Sequence, residues 1–180
     1  MTTTTKPGGH AVAGAGHPAP KRLATPTDLK PAEARAIVEA INPLVAGAFA
    51  LYIKTKNYHW HISGPHFRDY HLLFEEQAEQ IFDSIDVMAE RVRRIGGTTI
   101  RSLSHVQKLS PVQDDNDDEV APHEMLRRLL EDNQTVAHAM RNAITVCDQN
   151  HDLVTSNALE ELLDQTEKRV WFLYEAMQSA

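Results

Sequence analysis

The chain has 180 residues and a formal net charge of −7, and this length corresponds to one domain that can bury a core without covalent staples. Its single cysteine, Cys147, excludes a disulfide scaffold and a cysteine-based metal cluster within one chain. Without an apolar run of about 18 residues or a signal-peptide core, the sequence predicts a cytoplasmic protein that does not contact a membrane.

The charge is unevenly distributed. Residues 1–30 have a net charge of +3 and hold four of the eight glycines and four of the nine prolines, so the other 150 residues carry −10. This composition predicts a disordered basic tail, residues 1–30, followed by a folded body, residues 31–180. An acidic body disfavours nucleic-acid binding across the folded surface and leaves the tail as the part that can bind DNA. The basic residues of the tail are Lys6, Lys21, Arg22 and Lys30.

Two helices open the body. Apolar periodicity predicts the first from Pro31 to about Trp60, and Pro43 is expected to kink or split it. The sequence Ser63-Gly64-Pro65 ends this helix, because glycine favours a helix terminus and proline cannot continue it. The second helix is predicted from about His66 to Ile95, where the pair Gly96-Gly97 follows.

A long connection precedes the last two helices. Residues 98–120 are predicted to be irregular, with one short helix near 102–106, and long connections of this kind are often crossovers. Further helices follow from about Pro122 to Cys147 and from about Leu153 to Met177. The pattern predicts an all-α, ferritin-like four-helix bundle with a crossover helix, and a bundle of another topology is the alternative. Cys147 is expected to be buried on the apolar side of the third long helix. Packing residues are also expected near the C-terminus, and these are Trp171, Phe172 and Tyr174.

The second helix carries two distinct faces. On a wheel of about 100° per residue, His71, Glu75, Asp86 and Glu90 share one arc about 100° wide. The centre of this arc lies roughly 120° from the apolar stripe, so the arc does not point into the bundle core. The apolar stripe consists of Phe74, Ala78, Ile81, Ile85, Met88, Val92 and Ile95.

The ligand-type residues form two separate pairs. His71 and Glu75 are one turn apart, as are Asp86 and Glu90, but the pairs are about 22 Å apart along the axis, too far to share one metal ion. Two copies of this helix that cross antiparallel near residues 80–81 would join the pairs into two equivalent sites, to which His59 adds a ligand. Mixed imidazole and carboxylate ligands suit Fe(II) and other first-row metals. The alternative is a solvated acidic face.

These residues resemble a known signature. The segment from Lys54 to Gly97 resembles that of the Dps family, the mini-ferritins known as DNA-binding proteins from starved cells. The family pattern is a His-Trp pair, a second His twelve residues after the first, an acid four later, an Asp eleven later and a Glu four after that. Glu75 stands where the family often has Asp. The matching positions are His59, Trp60, His71, Glu75, Asp86 and Glu90.

The resemblance implies a fold and an activity. Members form hollow homo-dodecamers whose sites, with two irons each, lie at two-fold interfaces and draw ligands from both chains. They oxidise Fe(II), preferably with hydrogen peroxide, store the Fe(III) as a mineral and protect DNA in the nucleoid. Here the resemblance assigns His59, His71, Glu75, Asp86 and Glu90 as iron ligands and catalytic residues. Trp60 either packs the site or quenches stray oxidising equivalents.

The resemblance also implies an iron-entry pore, for which the candidates are Asp152, Asn157 and Glu161. One alternative function is a structural protein that compacts the nucleoid through its tail and retains a vestigial metal site. Another is a larger ferritin, which the sequence disfavours because such proteins build their site from inward-facing Glu and Glu-x-x-His motifs within one bundle.

Overall fold

Four long helices and one short helix form the body of the protein. The computed structural model describes residues 20–178, and within this range it contains no strand. The helices are α1 (Pro31–His61), α2 (Phe67–Arg94), α3 (Leu103–Leu109), α4 (Pro122–Gln149) and α5 (Leu153–Ala176). The short α3 lies in the crossover between α2 and α4 and packs on α1. The predicted elements and their order are confirmed.

Helix α1 is continuous through Pro43, so of the two expected effects of this proline, a kink or a split, the split does not occur. A proline inside a helix removes one backbone hydrogen bond. Here Ile41, Leu44 and Val45 are buried around it, and Asn42 donates from Nδ2 to the carbonyl oxygen of Thr98 at 3.0 Å. This burial and the hydrogen bond hold the segment around Pro43 against the rest of the protein. An 18-residue window of α1 is apolar enough to cross a membrane by composition, but 56% of it is buried inside the bundle, as in a core helix.

The apolar stripe predicted for α2 is buried. Its seven side chains, from Phe74 to Ile95, are each at most 7% exposed. Cys147 is also fully buried, as expected. Trp171, Phe172 and Tyr174, which were expected to be packing residues, are 58%, 40% and 52% exposed in the single subunit and are not part of its core. The inward face of α5 consists instead of Leu159, Leu162, Thr166, Arg169 and Leu173.

The last part of the predicted tail lies against the body. Residues 21–23 form a short 3-10 turn, and Arg93 donates from Nη2 to the carbonyl oxygen of Leu23 at 2.6 Å. Gly96 has a φ of +82°, and a Cβ there would lie 3.2 Å from the carbonyl oxygen of Thr25. Glycine thus permits both the turn after α2 and the close approach of this segment. Residues 1–19, including Lys6, lie outside the described residues.

The crossover is attached to α1 and α4 through one carboxylate. Asp115, whose side chain is 4% exposed, accepts hydrogen bonds from the hydroxyl of Tyr58 and from Arg128 Nη1, the latter at 2.7 Å. Burial by itself would raise the pKa of Asp115, but the bonds from Tyr58, the backbone N–H of Asp117 and Arg128 lower it below its usual value. The charged form of Asp115 therefore fastens the crossover to the bundle.

This attachment predicts a sensitivity to acid. Because the folded-state pKa of Asp115 lies below its unfolded value of about 3.9, its contribution is complete above that value and is lost as the pH falls through the folded pKa. We expect the thermal unfolding midpoint of the natural protein to fall more steeply from about pH 5 down to about pH 2 than that of Asp115→Asn, which has no charge to titrate. Asp118→Asn, on the exposed part of the same loop, should follow the natural protein. Equal pH slopes for all three proteins would contradict this account.

Candidate metal centre

Two histidines from successive helices form the centre of the candidate site. His59 lies in the last turn of α1 and His71 in the second turn of α2, and the bend at Gly64, whose φ is +100°, brings them together. Their rings stack with centroids 3.8 Å apart at an interplanar angle of 22°. His59 is buried, with 6% of its surface exposed, whereas His71 is half-buried.

The two rings hold each other through backbone carbonyls. Nδ1 of His59 lies 2.9 Å from the carbonyl oxygen of His71, and Nδ1 of His71 lies 2.9 Å from the carbonyl oxygen of His59. Since a carbonyl oxygen can only accept, each Nδ1 carries the proton and each Nε2 keeps its lone pair. Outer hydrogen bonds of this kind orient metal-binding histidines. The pair therefore presents two oriented nitrogen donors.

One carboxylate joins this pair. Oε1 of Glu75 lies 4.0 Å from Nε2 of His59, and the Glu75 side chain is 44% exposed. Glu75 lies one helical turn after His71, so its carboxylate is on the same face of α2. His59, His71 and Glu75 form the first half-site, with two imidazoles and one carboxylate.

Asp86 and Glu90 form the second half-site, further along α2. Both are exposed, and Glu90 is ion-paired with Arg94. The fifteen-residue separation from the first half-site corresponds to about 22 Å. Within residues 20–178, no three His, Cys, Asp or Glu side chains are close enough to hold a metal ion by themselves. One subunit thus presents two incomplete sets of ligands, one at the junction of α1 and α2 and one further along α2.

Exposed apolar side chains surround the half-sites. Trp60, adjacent to His59, is 63% exposed, and Lys56 lies above its ring with Nζ 5.9 Å from the centroid. Asp86 lines an apolar groove of about 420 Å³ together with Phe49, Ile85 and Leu103. Large exposed apolar surfaces of this kind usually mark interaction sites.

The bundle interior contains a buried cation. Arg169 is 5% exposed and donates from Nε to Asn133 Oδ1 at 2.9 Å and from Nη2 to Thr166 Oγ1 at 2.8 Å. Burial lowers the pKa of Arg169 to about 10, which leaves it charged at neutral pH. Proteins of the intrabundle di-iron class bind metal with inward-facing Glu and His side chains in the bundle core. A buried guanidinium repels a metal cation, so the interior does not suit that kind of site.

The pore candidates divide into two kinds. Asp152, whose side chain is 5% exposed, is the N-cap of α5: it accepts from the backbone N–H of Thr155 at 3.0 Å and from Arg91 Nη2 at 3.2 Å. Asp152 therefore stabilises the packing of α2 against α5. The sequence alone does not distinguish this buried carboxylate from an exposed one. Asn157 and Glu161, in the first turns of α5, are exposed.

The capping role predicts a stability effect. We expect Asp152→Ala to lower the free energy of unfolding by about 3–5 kcal/mol, because it leaves the largely buried Arg91 without its carboxylate. Asp152→Asn keeps an acceptor for the N–H of Thr155, so its loss should be smaller. Equilibrium urea unfolding followed by circular dichroism measures both. If both variants unfold like the natural protein, the capping role is wrong.

Comparisons with known proteins agree with this architecture. A family model described as a ferritin-like domain matches residues 38–179. The DNA protection during starvation protein of Brevibacillus brevis is 32% identical over 133 residues, which cover 74% of this chain and 89% of that protein. The structure of DpsC from Streptomyces coelicolor has a TM-score of 0.87 at 26% identity and covers 95% of this chain and 98% of its own.

A further solved structure bears on the chemistry of the fold. The DPS protein of Vibrio cholerae O1 has a TM-score of 0.81 at 25% identity and covers 86% of this chain and 98% of its own. Its description places it in a broad superfamily of ferritin-like diiron-carboxylate proteins. The predicted ferritin-like four-helix bundle is confirmed by these matches.

Proposed function

Because this chain belongs to the Dps family of ferritin-like proteins, we propose that it oxidises Fe(II), preferably with hydrogen peroxide, and stores the Fe(III) as a mineral inside a hollow dodecamer. Iron storage and DNA protection are the general functions of this family. The observation that carries the proposal for this chain is the stacked pair of His59 and His71, with both Nε2 atoms free to bind and Glu75 beside them.

A second copy of the chain completes each site in this proposal. When two α2 helices cross antiparallel near residues 80–81, the first half-site of one chain meets Asp86 and Glu90 of the other, and symmetry generates two such sites. The apolar groove beside Asp86 and the exposed Trp60 support burial of this face. The buried Arg169 supports it further, because it disfavours a site inside the bundle.

The ligand types suit the oxidation of iron. Imidazole nitrogens bind Fe(II), and carboxylates stabilise the more highly charged Fe(III). A site with both ligand types therefore binds the Fe(II) substrate and also stabilises the Fe(III) product. Two Fe(II) ions give one electron each to hydrogen peroxide, which takes up two protons and leaves as two water molecules. Because both electrons come from one site, the reaction does not release hydroxyl radical. Trp60, adjacent to His59, covers the site or takes up stray oxidising equivalents.

The candidates for the iron-entry pore lie at and near the start of α5. Negatively charged pores at three-fold axes would draw Fe(II) inward, and Glu161 and Asn157 are the exposed candidates. Asp152 contributes to such a pore only through its position at the start of α5, since its carboxylate is bound to Arg91 and Thr155.

Substitution of the histidine pair tests the proposed oxidation of iron. The double substitution His59→Ala/His71→Ala removes both oriented nitrogen donors and should slow peroxide-dependent oxidation of Fe(II) at least tenfold. The measurement is the Fe(III) absorbance after anaerobic loading with Fe(II) and addition of peroxide. The double substitution His123→Ala/His138→Ala, which removes two exposed histidines of α4, is the matched control. A rate that is unchanged in the first variant would contradict the proposal, as would a native mass corresponding to a monomer.

A second function, DNA binding, belongs to the N-terminal segment in this proposal. Lys21 and Arg22 are exposed beside the end of α2, and Lys6 precedes them, whereas Lys30 is engaged with Glu33. Twelve such segments on one shell would bind DNA through avidity, without sequence preference and with a strong dependence on salt. We accordingly propose a cytoplasmic, nucleoid-associated protein. The alternative, a nucleoid-compacting protein with a vestigial metal site, predicts DNA binding without peroxide-dependent oxidation of iron.

Charge neutralisation tests the tail. The triple substitution Lys6→Ala/Lys21→Ala/Arg22→Ala leaves the backbone contact of Leu23 with Arg93 intact and should weaken DNA retardation in a gel at low salt severalfold or more. Lys108→Ala/Lys168→Ala, which neutralises two lysines of the body, is the control. Retardation by the triple variant equal to that of the natural protein would contradict DNA binding by the tail.

A further inference from the structure

Each histidine of the first half-site directly follows an inward-packed tyrosine. The two dipeptides are Tyr58-His59 at the end of α1 and Tyr70-His71 near the start of α2. Both tyrosine rings pack on the same buried side chain, Phe74, with centroids 6.5 Å from its ring in each case. Tyr58 is 1% exposed and Phe74 is fully buried. The three rings form a common support behind the two imidazoles.

The hydroxyl of Tyr58 is attached to a distant part of the chain. It donates to the carboxylate of Asp115 in the crossover, and Arg128 of α4 holds the same carboxylate at 2.7 Å. Tyr58 is the donor in this contact, because the carboxylate of Asp115, which is ion-paired with Arg128, can only accept. The last turn of α1 is thereby connected to α4.

The hydroxyl of Tyr70 is attached at the other side of the bundle. It donates to the carbonyl oxygen of Ala176, the last residue of α5, at 3.3 Å. This bond is longer and its acceptor is neutral, whereas Tyr58 bonds to a buried carboxylate. Hydrogen bonds to charged acceptors are roughly twice as strong, so the Tyr58 contact is the stronger of the two.

We propose that Tyr58 and, more weakly, Tyr70 are positioning residues that orient His59 and His71 for iron. The inference rests on the proposed function, since it takes the two histidines as ligands. Consecutive helical residues differ in direction by about 100°, so a fixed Tyr58 also fixes the direction of His59. The end of α1 needs this support because its last carbonyls have no partner within the helix. The two carbonyl–imidazole bonds form only when both helix ends are held in register.

A nearby bridge between the same helices provides the control. Lys54 Nζ lies 2.7 Å from Asp132 Oδ2, and both side chains are largely buried. This bridge also joins α1 to α4, but it precedes His59 by five residues and is not adjacent to a ligand. Loss of this bridge should lower bundle stability without turning either imidazole.

The test is anaerobic titration of the assembled full-length protein with Fe(II), together with the visible absorption spectrum of bound Co(II). Tyr58→Phe removes only the hydroxyl and should weaken Fe(II) binding about tenfold and change the Co(II) bands, as expected when outer hydrogen bonds of ligands are lost. Tyr70→Phe should weaken binding by a smaller factor. Lys54→Met should keep the affinity and the Co(II) spectrum of the natural protein.

A double-mutant cycle tests whether Tyr58 acts through Asp115. Asp115→Ala should weaken Fe(II) binding as Tyr58→Phe does. The double variant should bind Fe(II) no more weakly than the more severe single variant, because both substitutions remove the same contact. Asp115→Asn keeps an acceptor oxygen and should recover part of the affinity. Natural Fe(II) affinity in Tyr58→Phe, or an equal loss in Lys54→Met, would overturn the positioning role. If instead His59→Ala binds Fe(II) as well as the natural protein, the proposed function itself is wrong.

Discussion

The reciprocal contact between His59 and His71 is the constraint on which the candidate site depends. Each ring donates from Nδ1 to the other's backbone carbonyl, so the two helix ends are joined by the same groups that would bind metal. This contact fixes the proton on Nδ1 and leaves Nε2 available, without a carboxylate in the outer shell. The bend between α1 and α2 thereby becomes part of the site, because a change in it would separate the rings.

The charge distribution supports the proposed division of the site between two chains. Arg169 places an uncompensated positive charge in the bundle interior, where only Asn133 and Thr166 accept its hydrogen bonds. The acids available for iron therefore lie on the outer face of α2, in two pairs too far apart to act together. In the proposed antiparallel pairing, a second copy would bring complementary pairs together and would cover the apolar groove beside Asp86.

Much of this architecture follows from the sequence because it depends on helical periodicity. The stripe from Phe74 to Ile95 and the ligand arc of α2 are set by spacing alone, and the stripe is buried as predicted. The contact of His59 with His71 depends on the path of the turn between two helices, which periodicity does not describe. From the residues alone, His59 is one further ligand near the end of the first helix, and its stacked contact with His71 is visible only in the structure.

Other features depend on contacts between residues distant in the sequence. Asp152 reads as one more acid at a helix start, and only its contact with Arg91, 61 positions earlier, distinguishes a buried cap from a pore carboxylate. The exposure of Trp171 depends on which face of α5 packs against the bundle. Because α5 has apolar residues on several faces, its sequence does not identify that face. The tyrosines before the two histidines were visible only as a repeated Tyr-His dipeptide, whose meaning required the contacts with Asp115 and Ala176.

Complementation between two inactive variants tests the shared site most directly. One variant, His59→Ala/His71→Ala, lacks the first half-site, and the other, Asp86→Ala/Glu90→Ala, lacks the second. In a mixed dimer one of the two sites receives an intact half from each chain, so co-assembly in equal amounts should restore peroxide-dependent oxidation to about a quarter of the natural rate. If each site lay within a single chain, the mixed assembly would be as inactive as its two parents, and that result would contradict the account.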